Sequence, residues 1–392
     1  MRHGLSQTAL MAADWGRVEV FRPFESCPDI VFGRTAARSD AFGATEASGG
    51  KPIIVGSSAG SDEADVATRA HNELVERVSN VLAGRAAERA AEIVASFAQL
   101  RRDRRAALNP AAWGRADLHE APMLWVRGRS LIDDRDVLVP AGAAFLRHRP
   151  PAGSPDALRA GSTGIAAHAT TALATRHALR EVLERDLMAR SWFEAGRSWI
   201  DTVNRPWPSP LPAAFQALGL EASTLVLPGP PGFGCAVTCL HAPGRTQQSF
   251  GARCVSGDQN LVAGFERAAY EALMVRWSIT TRVARRAWEA MRLRPEQPTP
   301  PADALEHALW TFHEQDSLGH WQAASTAGGD LGARPERELA SAVADHTGED
   351  IVVVDSAARG TADGIAVVRV VAPAARRLPA KAAVGATPHP FG

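Results

Sequence analysis

Apolar and polar positions alternate along this chain with two different periods. From about residue 62 to 82, Leu74, Val75, Val78, Val81 and Leu82 gather on one helical flank while Glu73, Glu76 and Arg77 share another. The same helical period predicts a second helix over about 83–107, with Gly84 as a break, a third over 171–194 and a long one over 257–284. Further helices fit 302–316 and 335–347. Strand-like runs occur at 52–60, and a hairpin-like pair spans 121–146 around the turn "IDDRD". Two strands flank a Gly/Pro turn within 223–241, and two strongly apolar strands lie within 350–373. Residues 36–51, rich in Ala, Ser and Gly, read as a mobile loop; 147–157 and 291–303 read as Pro-rich loops. Helices and antiparallel-looking strands in mixed order predict an α+β fold.

Composition narrows the function classes. The 392 residues carry 43 basic and 43 acidic side chains, so no broad nucleic-acid surface is expected. Lysine occurs twice, at Lys51 and Lys381, so a phosphate-gripping cation here is expected to be arginine. The N-terminus lacks an apolar signal-peptide core, and no stretch approaches 18 uninterrupted apolar residues; neither secretion nor a membrane span is expected. Four cysteines are too few for a disulfide framework, and "CAVTCLH" (235–241) matches no common zinc spacing. Buried thiols on neighbouring strands, in a reducing cytoplasmic compartment, are the expectation.

The chemistry concentrates in a repeated E-x-x-E-R. Glu73, Glu76 and Arg77 form one copy, with Arg69 and Asn80 beside them; Glu181, Glu184 and Arg185 form the other. An i,i+4 Glu–Arg pair can be an ordinary surface contact worth a few tenths of a kcal/mol, about 0.3. The second copy, however, shares its face with Ala174, Ala178, Met188 and Trp192. Carboxylates on an apolar face are costly to bury unless paired or bound to a cation. One arginine cannot neutralise two glutamates, so a hard cation such as Mg²⁺, bringing phosphate ligands, is a candidate completion. Arg267 and Glu271 add a third i,i+4 pair, which by spacing alone can be a simple salt bridge. "GSSAG" and "GSTG" precede the first and second carboxylate helices, where backbone N–H groups can hold phosphate oxygens. There is no Walker A motif: the one Gly-Lys step is followed by Pro52, with Thr45 where its first glycine belongs.

"GSSAGSDEADVATRAHNELVERVSN", "GSTGIAAHATTALATRHALREVLERDLMARSW", "GFERAAYEALMVR" and "GIAVVRVVAPAARRL…TPHPFG" follow one another in an order that resembles the YcaO family. The likeness spans roughly residues 50–392, with 1–50 expected as a partly flexible N-terminal segment and 51–392 as the family's domain. Such proteins bind ATP without a P-loop, in a cleft whose carboxylates hold Mg²⁺. The resemblance implies that Glu73, Glu76, Glu181 and Glu184 are those carboxylates. It further implies that Gly60, Arg69, Arg77, Arg185, Arg267 and Glu271 hold nucleotide or support the site. Members that modify ribosomal peptides activate a backbone amide with ATP and close Cys, Ser or Thr onto it as an azoline. Their Pro-rich tail reaches the active site. Here the tail, 387–392, supplies Pro388, Pro390 and Gly392, the last in place of a proline. Arg69, Ala59 and Met274 stand where the family more often has Ser, Lys and Gln. The implied partners are a precursor peptide, a separate leader-peptide-binding protein and a second copy or other subunit. An azoline dehydrogenase is compatible but called for by no residue. Thioamide- or amidine-forming chemistry and a non-catalytic ATP-binding scaffold are the alternatives.

Overall fold

The computed structural model describes residues 17–43, 52–151, 154, 158–194, 198–200, 207–294, 300–358, 360–361, 364–379, 381–383 and 386–391. The chain opens with β1 (Glu19–Phe21), β2 (Val31–Arg38) and β3 (Ile53–Gly60), an antiparallel three-stranded sheet in that order. Ala36–Arg38, read above as loop, therefore belong to a strand paired with Ile53–Val55; residues 44–51 lie outside the described residues. The boundary expected between residues 50 and 51 falls within the connection of this sheet.

α1 (Glu63–Ala90) packs on β2 and β3 and is one continuous helix. Gly84 does not break it: a Cβ there would lie 2.8 Å from the Phe145 Cβ, so the glycine serves close packing. The helix expected over 83–107 does not form. Ala91 turns left-handed (φ 44°) and ends α1, and the chain continues as β4 (Val94–Ala95) and α2 (Phe97–Arg102). β5 (Met123–Ser130) and β6 (Asp136–Pro140) make the expected hairpin, but Ala141–Ala144 coil into the short helix α3.

β7 (Ile165–His168) leads into α4 (Thr171–Phe193), capped by the Thr170 side chain on the Leu173 N–H. β8 (Trp199–Ile200), α5 (Leu211–Leu218), β9 (Glu221–Pro228) and β10 (Phe233–Ala242) follow, then β11 (Thr246–Ser256), a strand the pattern did not predict. Its neighbourhood explains why. Phe250, Ala252 and Cys254 face the α4 core while Val255 packs beside Leu261 and Phe265, so β11 is covered on both sides and shows no clean alternation. α6 (Leu261–Ile279) stops short of the expected end; Thr281 caps a separate α7 (Arg282–Arg292).

The helix expected over 302–316 is α8 (Ala304–His313), and a short unexpected helix, α9 (Ser317–Ala323), follows it with Asp316 as its cap. β12 (Thr326–Ala327) and α10 (Leu339–Thr347) precede the two expected strands, β13 (Val352–Asp355) and β14 (Ala366–Val371), which pair antiparallel. The second sheet runs β11-β10-β9-β8-β12; the third runs β4-β5-β13-β14-β7, with β6 on β5. Helices and largely antiparallel sheets give the α+β class. All four cysteines are buried and free, and Cys235 and Cys254 are directly opposite on β10 and β11. No described helix is long and apolar enough to cross a membrane.

Candidate active site

Three strand–helix units meet at the ends of their sheets: β3–α1, β7–α4 and β11–α6. Two are built alike. A Cβ on Gly56 would lie 2.2 Å from the Ala70 carbonyl oxygen of α1, and one on Gly251 would lie 2.0 Å from that of Ala268 on α6. Each helix thus lies directly on its strand. The next strand residue then donates its N–H to a helix glutamate: Ser57 to Glu73 at 2.6 Å, Ala252 to Glu271 at 3.0 Å.

The third unit extends the pattern. Glu181 accepts from the Gly164 N–H at 2.9 Å, and Glu184 from the Cys254 N–H at 2.9 Å. Glu76 accepts from the Ala167 N–H at 3.0 Å. Five carboxylates from three helices are therefore each fixed through one oxygen by a backbone donor. The other oxygens of Glu184 and Glu271 lie 3.8 and 3.9 Å from the Arg185 guanidinium, and that of Glu73 is 2.5 Å from Arg77.

These groups line a cavity of about 570 Å³. Arg69, Arg77, Arg185 and Arg267 share its wall with Glu73, Glu76, Glu181, Glu184 and Glu271, so nine of the residues singled out in the sequence converge. Gly60 sits at the end of β3, where an added Cβ would meet the Arg69 Nη2 at 3.0 Å. Arg69 donates to the Ala59 oxygen at 2.6 Å and pairs with Asp65 at 3.0 Å; Arg267 reaches the same Asp65 at 3.1 Å.

Pro388 and Pro390 are not among the described cavity-lining residues. The tail lies against α4, α8 and α9: Trp192 Nε1 donates to the Thr387 oxygen at 3.1 Å and Gln315 Nε2 to the Pro388 oxygen at 2.9 Å. His389 stacks on His307 at 3.7 Å, and Phe391 packs against Trp321 and Phe250. Gly392 lies outside the described residues.

Sequence reading missed the backbone donors, which leave no side-chain signal, and Asp65, His177 and Arg253, which also line the cavity. Asp65 was detectable as the i−4 partner of Arg69. Arg253 was not, because it sits on the unanticipated β11.

Electrostatics define what the cavity can hold. Burial raises Glu73 and, more strongly, Glu76, while burial pushes Glu184 up to about 7 against the opposing pull of Arg185. Burial opposes the Arg185 charge, but Glu184, Glu271 and Glu181 hold its pKa above the ordinary value. His177 is depressed to about 4 by burial and by Arg253. Buried carboxylates held above their usual range lack sufficient positive charge, which a divalent cation supplies. Among the described residues, no three His, Cys, Asp or Glu side chains form a ready metal cage. Fixed, separated carboxylates with arginines between them instead fit a cation that takes phosphate oxygens as its remaining ligands.

Comparison with known proteins agrees with this geometry. The family model "YcaO cyclodehydratase, ATP- and Mg²⁺-binding" matches residues 56–376. YcaO of Methanopyrus kandleri, solved with AMPPCP and Mg²⁺, superposes with a TM-score of 0.61 at 20% identity, covering 93% of this chain and 88% of that one. A heterocyclase solved with substrate and cofactor gives 0.63 at 16% identity over 92% of this chain and 50% of its own, so this chain spans about half of that protein's length. The E. coli microcin synthetase McbBCD complex gives 0.58 at 13% identity, covering 91% and 87%. An uncharacterized protein of Methanothermobacter thermautotrophicus is 38% identical over 84 residues, 21% of either chain. At these identities the solved structures establish the fold, and the family model establishes membership: the chain belongs to the YcaO family of ATP- and Mg²⁺-binding cyclodehydratases.

Proposed function

We propose that this protein is an ATP-dependent cyclodehydratase that converts Cys, Ser or Thr of a ribosomal precursor peptide to thiazoline or oxazoline. The observation that carries the proposal is the set of five carboxylates, each anchored by one backbone N–H, in a cavity shared with four arginines. Glu73, Glu76, Glu181 and Glu184 would hold Mg²⁺, which neutralises charge on the phosphates of bound ATP. Arg77, Arg185 and Arg267 orient the phosphates, and Glu271 keeps Arg185 in place. Preorganisation of this kind is the main lever in phosphoryl transfer.

In the reaction, a side-chain thiol or hydroxyl attacks the preceding carbonyl carbon of the peptide. The resulting oxyanion takes the γ-phosphoryl group of ATP, and loss of phosphate with the former carbonyl oxygen leaves the C=N of the ring. Amide oxygen is a poor leaving group and phosphate a good one, which is the reason for using ATP. Delivery of the peptide is assigned to a separate leader-binding protein. The E. coli relative, itself a multi-subunit complex, supports that reading.

The test is phosphate release from Mg·ATP with a short Cys/Ser/Thr-rich peptide encoded beside the gene, together with its leader-binding partner. The proposal expects peptide-dependent phosphate release and loss of one water from the peptide per ring. Exchange of oxygen for sulfur would identify a thioamide-forming enzyme instead, and ATP binding without peptide-dependent turnover a scaffold.

A further inference from the structure

β11 ends the strand order of its sheet, and part of the carboxylate site is built along that edge. The outward N–H groups of Ala252 and Cys254 are taken by Glu271 and Glu184 at 3.0 and 2.9 Å. Arg253 stands between these two donors. The Phe250, Ala252 and Cys254 side chains enter the α4 core, so strand alternation sends Arg253 to the opposite face, which α6 covers at Gly251. Two residues beyond that cover, Arg253 is exposed and lines the cavity.

Beyond the four arginines singled out in the sequence, Arg180 and Arg253 also line this cavity. Arg69 and Arg267 meet Asp65, Arg77 meets Glu73, Arg185 lies near Glu184 and Glu271, and Arg180 pairs with Glu336. Among the described residues, Arg253 is the cavity arginine whose guanidinium has neither an ion pair nor a hydrogen bond. Water can satisfy an exposed arginine, so placement decides what this one does.

The Arg253 charge reaches groups on two helices. Burial raises the pKa of Glu184 on α4, and Arg185 and then Arg253 oppose that rise. Burial lowers His177 on α4 and Arg69 on α1, and Arg253 is among the cations that lower both further. Arg253 therefore sits between the α1 and α4 walls, where Mg²⁺ held by their glutamates would draw phosphate oxygens. The other wall arginines are partly neutralised by carboxylates and fixed by them. The terminal phosphate of ATP carries the most negative charge of the three and is the group that moves. A guanidinium with no carboxylate partner gains most from that phosphate.

We propose that Arg253 binds the γ-phosphate of ATP, a contact that distinguishes ATP from ADP. This rests on the reading of the cavity as an Mg·ATP site, and its test separates the two. Mg·ATP and Mg·ADP are each titrated calorimetrically into the full chain, into Arg253→Gln and into Arg180→Gln, with thermal melts alongside.

The wild type is expected to bind Mg·ATP more tightly than Mg·ADP. Arg253→Gln should bind Mg·ADP as the wild type does and Mg·ATP about tenfold more weakly. A merely structural role would weaken both nucleotides together. Arg180→Gln also removes a positive charge from the cavity, but one already paired with Glu336, and should leave the ratio of the two affinities unchanged. The proposal fails if Arg253→Gln keeps the wild-type ratio, or if both nucleotides weaken equally. It fails also if Arg180→Gln lowers the ratio as much, since the effect is then one of distant charge and not of contact. Absence of any nucleotide binding to the folded wild type would overturn the ATP reading and this inference with it; saturable ATP binding with an unaltered ratio in Arg253→Gln overturns this inference alone.

Discussion

At the residue scale, Glu184 shows how the site stores unfavourable charge. It is 5% exposed, its one backbone bond is to Cys254, and burial raises its pKa to about 7. A carboxyl with a raised folded pKa binds its proton more tightly folded than unfolded. Between the ordinary value, 4.5, and about 7, metal-free stability therefore falls as pH rises. Glu184→Gln removes that dependence while keeping an oxygen for the Cys254 N–H. The metal-free variant is expected to be more stable than the wild type by about 1 kcal/mol at pH 8, with a smaller difference at pH 5. Thermal melts in EDTA across that range check it; a difference independent of pH would contradict the argument. The glutamates were legible in the sequence because helical spacing placed them on one face with apolar neighbours. Their anchoring was not: a strand N–H belongs to every residue but proline, and only the packing of helix on strand selects Ser57, Ala167 or Cys254 as donor.

At the scale of elements, the site depends on how closely α1 and α6 lie on β3 and β11. Gly56 and Gly251 permit that approach. Gly251→Ala places a methyl group against the Ala268 carbonyl and separates Glu271 from its donor, Ala252. A loss of about 3 kcal/mol is expected in urea unfolding, with weaker Mg·ATP binding. Gly161→Ala, where an added Cβ meets nothing within 4 Å, is the control and should change stability by no more than about 0.5 kcal/mol. Equal effects of the two substitutions would contradict this account of the glycines. Periodicity located β3, α1, α4 and α6 but lost β11, whose two covered sides erase alternation. It also divided α1 at a glycine that is there for Phe145. A glycine in a helical pattern carries the same letter whether it ends the helix or admits a neighbour, and the distinction lies in tertiary packing.

At the scale of the molecule, the C-terminal tail ties distant parts of the chain together. Trp192 and Gln315 hold its carbonyls, and His389 is clasped between His307 and the Pro379 oxygen, 2.9 Å from its Nε2. Burial, the neighbouring His307 and, less strongly, Arg185 together depress the His389 pKa to about 4, against backbone hydrogen bonds at Pro379 and Phe391 that raise it. A histidine with a lowered folded pKa takes up its proton more readily when undocked. Tail docking is therefore complete above the ordinary value, 6.5, and weakens as pH falls toward about 4. Hydrogen exchange of residues 386–391, corrected for intrinsic pH dependence, is expected to accelerate across that window. In His389→Phe this acid-dependent component should largely disappear; persistence of the full effect would contradict it. The likeness at the tail was legible, but its contacts with His307, Gln315 and Trp321 were not, because they depend on where α8 and α9 lie in the fold.

The central claim is that the two E-x-x-E-R helices form two walls of one Mg·ATP site. Calorimetric titration of Mg·ATP into the purified protein, beside Glu184→Gln, tests it most directly. Saturable, Mg²⁺-dependent binding to the wild type, abolished or weakened at least tenfold by the substitution, is the predicted result. Absence of binding to the folded wild type, or unchanged binding to Glu184→Gln, would contradict it.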